Sequence, residues 1–413
     1  MSGQTVIVGG GHAAVQLCLA LRKEKYTGDI VLCSDEPHIP YQRPPLSKAY
    51  ITGEFRDEKL PLRPESFYTS RNIDLRLNSV VTSIDTKSKA ITSTTGDIAY
   101  QHLVLALGAK ARKLPLPGLE ASGVFELRNL QDAQGIKQQL AQSQHIVVIG
   151  AGFIGLEVAA AIQKSGKYTV TVFDTASRVM GRAVAPAVSR WFEHTHRKSG
   201  IDINLGEGIR EVVTNGFGEI SGVISSNGES IPADMVLLGV GVEPHTALAE
   251  AAGLTCENGI VVDQFCRSSD DSIFAAGDCA NHPNVFAGSR RIRLESIQNA
   301  TDQARTISSV IASSEVPGVK AQPYAAVPWF WSDQGEHNLQ MTGLSFDANQ
   351  HVTRGEPDSG SFSVFHYHDD SLLAVDSVNA PRDHIVSRRL LTNGQSPSVE
   401  QAADISFDLK TLL

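Results

Sequence analysis

Residues 5–22 read TVIVGGGHAAVQLCLALR, and this stretch decides the fold. Val6-Ile7-Val8 is an apolar run of the kind that forms a buried strand; three glycines then turn the chain, and helix-forming residues follow. Gly9-x-Gly11-x-x-Ala14 has the spacing of a dinucleotide-binding turn in its G-x-G-x-x-A form. Gly9 permits the tight turn and Gly11 lets the backbone approach a pyrophosphate. Ala14 lets the helix pack closely on the strand, with its N-terminus facing negative charge. A glycine turn alone is weak evidence, because many such turns only connect elements. Here an acid agrees with the strand and the helix: Asp35 follows the apolar run Ile30-Val31-Leu32, placed to hold a ribose hydroxyl.

The chain repeats this opening. His145-Ile146-Val147-Val148-Ile149 reads as a strand, Gly150-x-Gly152-x-x-Gly155 follows, and Leu156 to Lys164 reads as a helix. The next strand, Thr169 to Phe173, ends at Asp174. This match is fuller, and two fingerprints imply two dinucleotide sites. A carboxylate at Asp174 accepts the 2′-hydroxyl of NAD and repels the 2′-phosphate of NADP, with Arg178 and Arg182 nearby to soften that repulsion. Glu157 sits in the first helical turn, where the helix dipole favours an acid whatever its function.

At 413 residues the chain is long enough for two or three domains, and 41% hydrophobic with 20% charged residues is ordinary for a globular protein. The net charge of -9 argues against nonspecific nucleic-acid binding. Residues 5–21 lack charge, but their glycines, His12 and Gln16 argue against a membrane span, and no basic segment precedes them as in a signal peptide. A cytoplasmic protein is the expectation. The five cysteines, Cys18, Cys33, Cys256, Cys266 and Cys279, form no C-x-x-C or C-x-x-x-x-C, so neither a zinc ribbon nor a local redox dithiol is readable.

Between the fingerprints, Pro37 to Lys48 is rich in proline and reads as a fixed irregular segment, with Ser47 as the cap of a following helix and Arg43 and Lys48 as candidate phosphate or flavin contacts. Short strands are expected at Ile73–Leu77, Val80–Ile84, Ala90–Ser93 and Leu103–Leu107, a linker at Pro115-x-Pro117-Gly118, and a helix over 132–142. After the second fingerprint, strands are expected near 202–205, 219–225 and 235–239. Residues 272–280, SIFAAGDCA, read as a buried strand, a turn and an acid, Asp278, before a helix. Arg290, Arg291 and Arg293 form a basic cluster, and Glu295 to Ile311 reads as a helix. The tail, residues 326–413, reads as a small α+β domain that opens with Trp329-Phe330-Trp331. These aromatics cannot all face one way on a strand, so at least one is expected to face a cofactor or partner.

Taken together, VIVGGGHAA, SDEPHIPYQRPPLSKAY, LVLALGAKAR, VVIGAGFIGLEVAAA, FAAGDCA, RLESIQNA and VPWFWSDQ resemble, in order and spacing, the bacterial NADH-dependent ferredoxin reductases of oxygenase systems. The resemblance covers essentially the whole chain. It implies an α/β, glutathione-reductase-like fold with two Rossmann-type domains and a C-terminal α+β domain. The FAD domain would comprise residues 1–112 and 245–325, the NAD domain 113–244, and the last domain 326–413. By position, the resemblance implies FAD contacts at Gly9, Gly11, Ala13, Ala14, Asp35, Arg43, Lys48, Val81, Arg128, Asp278 and Ile297. It implies NAD contacts at Gly150, Gly152, Gly155 and Asp174, and Lys48 paired with Glu157 beside the flavin as the candidate catalytic pair. His12 departs from the small or apolar residue usual there.

The activity so implied passes electrons from NADH through FAD to a [2Fe–2S] ferredoxin that supplies an oxygenase, a cytochrome P450 or a Rieske dioxygenase. Trp331, Arg305, Arg290, Arg291 and Arg293 are the candidate docking residues for that ferredoxin, and neither nucleic acid nor membrane is expected as a partner. Alternatives remain open. A rubredoxin- or nitrite-reductase-type NADH reductase shares the pattern, as does an NADH-sensing flavoprotein of the apoptosis-inducing-factor kind. A disulfide or peroxide reductase needs a reactive cysteine beside the flavin, and Tyr41 to Tyr50 holds none.

Overall fold

The computed structural model describes residues 3–413. The chain divides into two compact units. One comprises the chain up to Gln42, Asp57–Lys110 and Glu243–Phe330; the other comprises Arg43–Arg56, Ala111–Val242 and Trp331–Leu413.

In the first unit, Thr5–Val8 is the central strand of a five-stranded sheet. Ile30–Cys33 and then Ile73–Arg76 lie to one side, His102–Leu105 and then Ile273–Ala275 to the other, all parallel. Four of these strands are almost wholly apolar because both faces of a parallel sheet are covered. On one face the helices His12–Lys23 and Ile297–Glu315 pack together through Leu17, Leu21, Ala300, Ala304 and Ile307. On the other, Ile84, Ile91 and Ile98 of an antiparallel meander close over Val6, Val8, Leu103 and Leu105.

The second unit repeats the plan. His145–Ile149 lies between Thr169–Asp174 and Met235–Leu238 in a five-stranded parallel sheet, with Asp202–Leu205 and Val124–Glu126 at its edges. The same unit holds most of a mainly antiparallel sheet built from Trp329–Gln334, His337–Gly343, Gln350–Glu356, Ser361–His368 and Ser371–Val378, against which the helix Pro381–Thr392 packs.

Several local expectations are corrected. The helix expected over 132–142 starts at Leu130, because Asn129 and Asp132 form a reciprocal capping box. The helix expected from Glu295 starts at Ile297, capped by Ser296, and runs on to Glu315. Asp278 does not precede a helix: it lies in a single 3-10 turn, Gly277–Cys279, followed by the strand Ala280–Pro283. The expected linker at 115–118 is anchored. Leu114, Leu116 and Leu119 pack on the core, Val212 N donates to Pro117 O at 2.9 Å, and Gly118, at φ +83°, leaves no room for a methyl beside Val212 O. Among the described residues, no helix is long and apolar enough to cross a membrane.

Candidate functional site: two dinucleotide turns and a buried ion pair

The first turn sits at the carboxyl ends of parallel strands, where open α/β sheets bind ligands. Gly9 has φ +118°, and a methyl there would lie 2.2 Å from Ala106 O. Gly11 caps the helix His12–Lys23 without any side-chain bond, and a methyl on it would meet nothing within 4 Å. An uncapped helix start facing open space fits a pyrophosphate. Ala13 and Ala14 are buried in the helix, and His12, half-buried, opens it.

Gly277, at φ +78°, brings the Asp278 turn to this helix, since a methyl on it would lie 3.6 Å from Ala300 and 3.8 Å from Ala13. Gln303 holds that turn: its oxygen accepts Gly277 N at 2.7 Å, and its amide lies 3.1 Å from His282 Nδ1. Burial pushes the His282 imidazole down to about 4, so the ring there is neutral. The structure thus brings Gly9, Gly11, Ala13, Asp278 and the start of the helix that Ile297 opens together at the carboxyl ends of one sheet's strands. Asp35 is exposed just past its strand, and Val81 packs on the core of the sheet's other face.

In the second unit, Gly150 has φ +112°, with Gly239 O in the place of a methyl at 2.4 Å. Gly152 caps the helix Phe153–Gln163 without a side-chain bond, and the only neighbour of a methyl there is Gly239 O at 4.0 Å. Gly155 is fully committed to packing, with Gly150 O 2.0 Å from a methyl on it. The half-buried Asp174 accepts Ala151 N at 2.7 Å and Ala176 N at 2.8 Å. It therefore braces the fingerprint turn itself. Arg178 does not soften its charge by direct contact: its guanidinium donates to Val184 O at 2.8 Å and to Gly181 O.

The same unit holds the ion pair. Glu157 is 3% exposed inside an apolar helix, and Lys48 Nζ donates to its Oε2 at 2.8 Å. Ser47 was expected to cap a helix. Instead it ends the 3-10 turn Pro44–Ser47, and its hydroxyl donates to the same oxygen at 2.6 Å. Ser332 donates to Oε1 at 2.7 Å. Charge-assisted bonds of this kind offset the desolvation of a buried carboxylate. Arg43 and Arg128 are also brought together, since the Arg43 guanidinium donates to Arg128 O at 2.6 Å while Arg128 N donates to Asp132 at 2.8 Å. Sequence reasoning missed Ser47, Ser332 and Gln303 as supports. Only Ser47 carried a signal, its place beside Lys48.

The basic residues are partly spoken for. Arg291 donates to Val262 O at 2.7 Å and Arg290 to Ala287 O at 2.8 Å. Arg293 donates to Asp278 O at 3.2 Å and Glu295 at 2.5 Å, and exposed Arg305 pairs with Asp302 on its own helix. Trp331 is half-buried, as are Trp329 and Phe330. All five cysteines are unpaired thiols. Burial raises each, Cys18 to about 12 and Cys279 to about 11, which disfavours the reactive thiolate.

The pyridine nucleotide-disulphide oxidoreductase profile matches residues 3–304, and the reductase C-terminal profile matches 329–413. Rhodocoxin reductase of Rhodococcus erythropolis is 42% identical over 98% of this chain and 93% of its own length. The ferredoxin reductase for the CYP199A2 system of Rhodopseudomonas palustris superposes with a TM-score of 0.94 at 42% identity, covering 99% of both chains. The reductase in a covalent putidaredoxin reductase–putidaredoxin complex gives the same TM-score at 38% identity, covering 99% of this chain and 98% of that one. The chain belongs to the pyridine nucleotide-disulphide oxidoreductase family, and within it to the ferredoxin reductases that end in the reductase C-terminal domain.

Proposed function

We propose that this protein is an NADH-dependent ferredoxin reductase, an EC 1.18.1-type flavoprotein that supplies electrons to an oxygenase through a [2Fe–2S] ferredoxin. When bound, FAD would supply the exchange between a two-electron hydride donor and a one-electron acceptor. The observation that carries the reading is the pair of open helix-capping glycines, Gly11 and Gly152, in a chain whose thiols are unpaired and mostly buried. Two dinucleotides can be held, and no dithiol stands ready to take the electrons.

The residues have distinct tasks in this reading. Gly9, Gly11, Ala13, Ala14 and the Asp278 turn hold the FAD pyrophosphate and ribitol, with Asp35 on the ribose and Val81 and Ile297 as further contacts. Arg43 fixes the backbone at Arg128, which supports a flavin-binding role for both. Gly150, Gly152 and Gly155 hold the NADH pyrophosphate, and Asp174 sets the preference for NADH. Lys48 supplies a cation beside the flavin, and Glu157 orients it. The FAD, NAD and C-terminal domains then correspond to residues 1–112 with 245–325, 113–244 and 326–413; the end of one family match at 304 and the start of the next at 329 support the last boundary. The protein acts in the cytoplasm.

Stopped-flow mixing tests this directly. NADH reduces the yellow purified protein, and the reduced protein then reduces a [2Fe–2S] ferredoxin. Arg305→Glu and Trp331→Ala slow the second step and spare the first. Rising salt does the same by screening the encounter. Release of FMN on denaturation, or a ferredoxin that is never reduced, refutes the assignment.

A further inference from the structure

Glu157 is held by more than its ion pair. The hydroxyl of Ser332, on its Oε1 at 2.7 Å, in turn accepts the Gln334 amide at 3.2 Å. The Gln334 oxygen lies 2.7 Å from His196 Nε2. A carboxamide oxygen only accepts, so His196 Nε2 carries the proton. The Gln334 amide also reaches Met180 Sδ at 3.2 Å, which agrees with that orientation. Every donor in the row therefore points towards Glu157. Ser332 is 0%, Gln334 1% and His196 2% exposed. Ser332 and Gln334 are alternate residues of one strand and share a face. Burial holds His196 below its usual range, which keeps the ring neutral.

Apolar residues would close this part of the interior without the desolvation cost of a polar row. We propose that Ser332 and Gln334, with His196 behind them, are positioning residues for electron transfer: they fix the orientation and charge of Glu157 against Lys48. This rests on the reading of Lys48 and Glu157 as the pair beside the flavin. An amide passes no proton, so the row acts by its dipoles. It also reaches the second fingerprint, since Met180 N donates to Ala151 O at 2.9 Å. One strand of the C-terminal sheet thus braces both the acid and, through Met180, the turn assigned to NADH.

The test uses the FAD-loaded protein and reads the flavin midpoint potential, the rate of flavin reduction by NADH and resistance to unfolding. Removing one donor from a buried carboxylate disfavours its charged form. Ser332→Ala therefore shifts the potential in the direction in which Glu157→Gln shifts it, and slows reduction by NADH about tenfold. Ser332→Thr restores both. In the Glu157→Gln background Ser332→Ala adds nothing to either shift, because Ser332 acts through that carboxylate. Gln334→Met, which cuts the row one residue further out, shifts both in the same direction by less, and serves if Ser332→Ala does not fold. If Glu157→Gln and Lys48→Ala move the potential while Ser332→Ala and Gln334→Met only lower stability, the positioning role is overturned and the flavin-side pair stands. If neither Glu157→Gln nor Lys48→Ala moves the potential, the pair itself is refuted and the positioning role falls with it.

Discussion

The two glycine turns use one motif and tolerate different residues at its third small position. In the first, Ala14 occupies that position and its methyl is fully buried. In the second, a methyl on Gly155 would lie 2.0 Å from Gly150 O, so the helix can approach only if the side chain is absent. The first positions behave alike, since Gly9 and Gly150 both have positive φ and both press against the carbonyl just past the end of the neighbouring strand, Ala106 O and Gly239 O. The middle glycines, Gly11 and Gly152, are instead defined by what is not beside them. Thus the three small residues answer three separate demands: backbone dihedral, ligand access and helix approach. Only the third demand relaxes between the two copies.

The largest contrast comes from filling the space over the middle glycines. Gly11→Val yields a folded protein without FAD, because the side chain takes the pyrophosphate position. Gly152→Val keeps FAD and loses reduction by NADH. Absorbance spectra of the purified proteins and stopped-flow traces read the two outcomes; a yellow Gly11→Val protein would contradict the assignment of the first turn.

The third positions give the next largest difference. Gly155→Ala forces backbone apart and costs roughly 1–3 kcal/mol or more as overpacking. Ala14→Gly costs about 1 kcal/mol through chain entropy. Denaturant titration of both compares them directly, and equal losses would mean that the close approach at Gly155 is not a constraint.

Smaller again is the effect of the acid. Asp174→Ala narrows the NADH-over-NADPH ratio of kcat/KM by about tenfold, or about 1.4 kcal/mol. It also raises KM for NADH, because two backbone amides lose their acceptor. Asp35→Ala has no such second effect on its own turn, because Asp35 lies exposed beyond it.

The mildest expectation separates neither turn and bears on both units. Burial holds His102 and His282 of the first unit and His384 of the second down to about 4, against a usual 6.5. The unfolded chain then binds more protons than the folded one between those values. Stability is full above pH 6.5 and declines as pH falls towards about 4. Urea midpoints across that window read it, and His282→Gln flattens the slope.

Much of the fold was readable because both fingerprints, their strands and their acids follow one another closely along the chain. The strands His145–Ile149 and Asp202–Leu205 have the expected bounds, the first an apolar run and the second an alternating one. The supports of Glu157 were not readable. Ser47 and Ser332 stand 110 and 175 residues away from it, and no local pattern marks a serine that caps a distant carboxylate. The arginines at 290–293 show the reverse: their charge was plain, but their acceptors include backbone carbonyls, which every residue carries. The turn at 115–118 read as a linker because proline and glycine look the same in a hinge and in a fitted corner.

The state of the thiols has a practical consequence for following the protein at work. Cys18, Cys33, Cys266 and Cys279 are buried, and Cys256 alone is half-buried. Under native conditions a maleimide probe therefore reacts first at Cys256, beyond the helix Ala247–Ala251. The chain carries its own attachment point for a fluorophore or spin label, and a single label can be placed without first stripping the other cysteines.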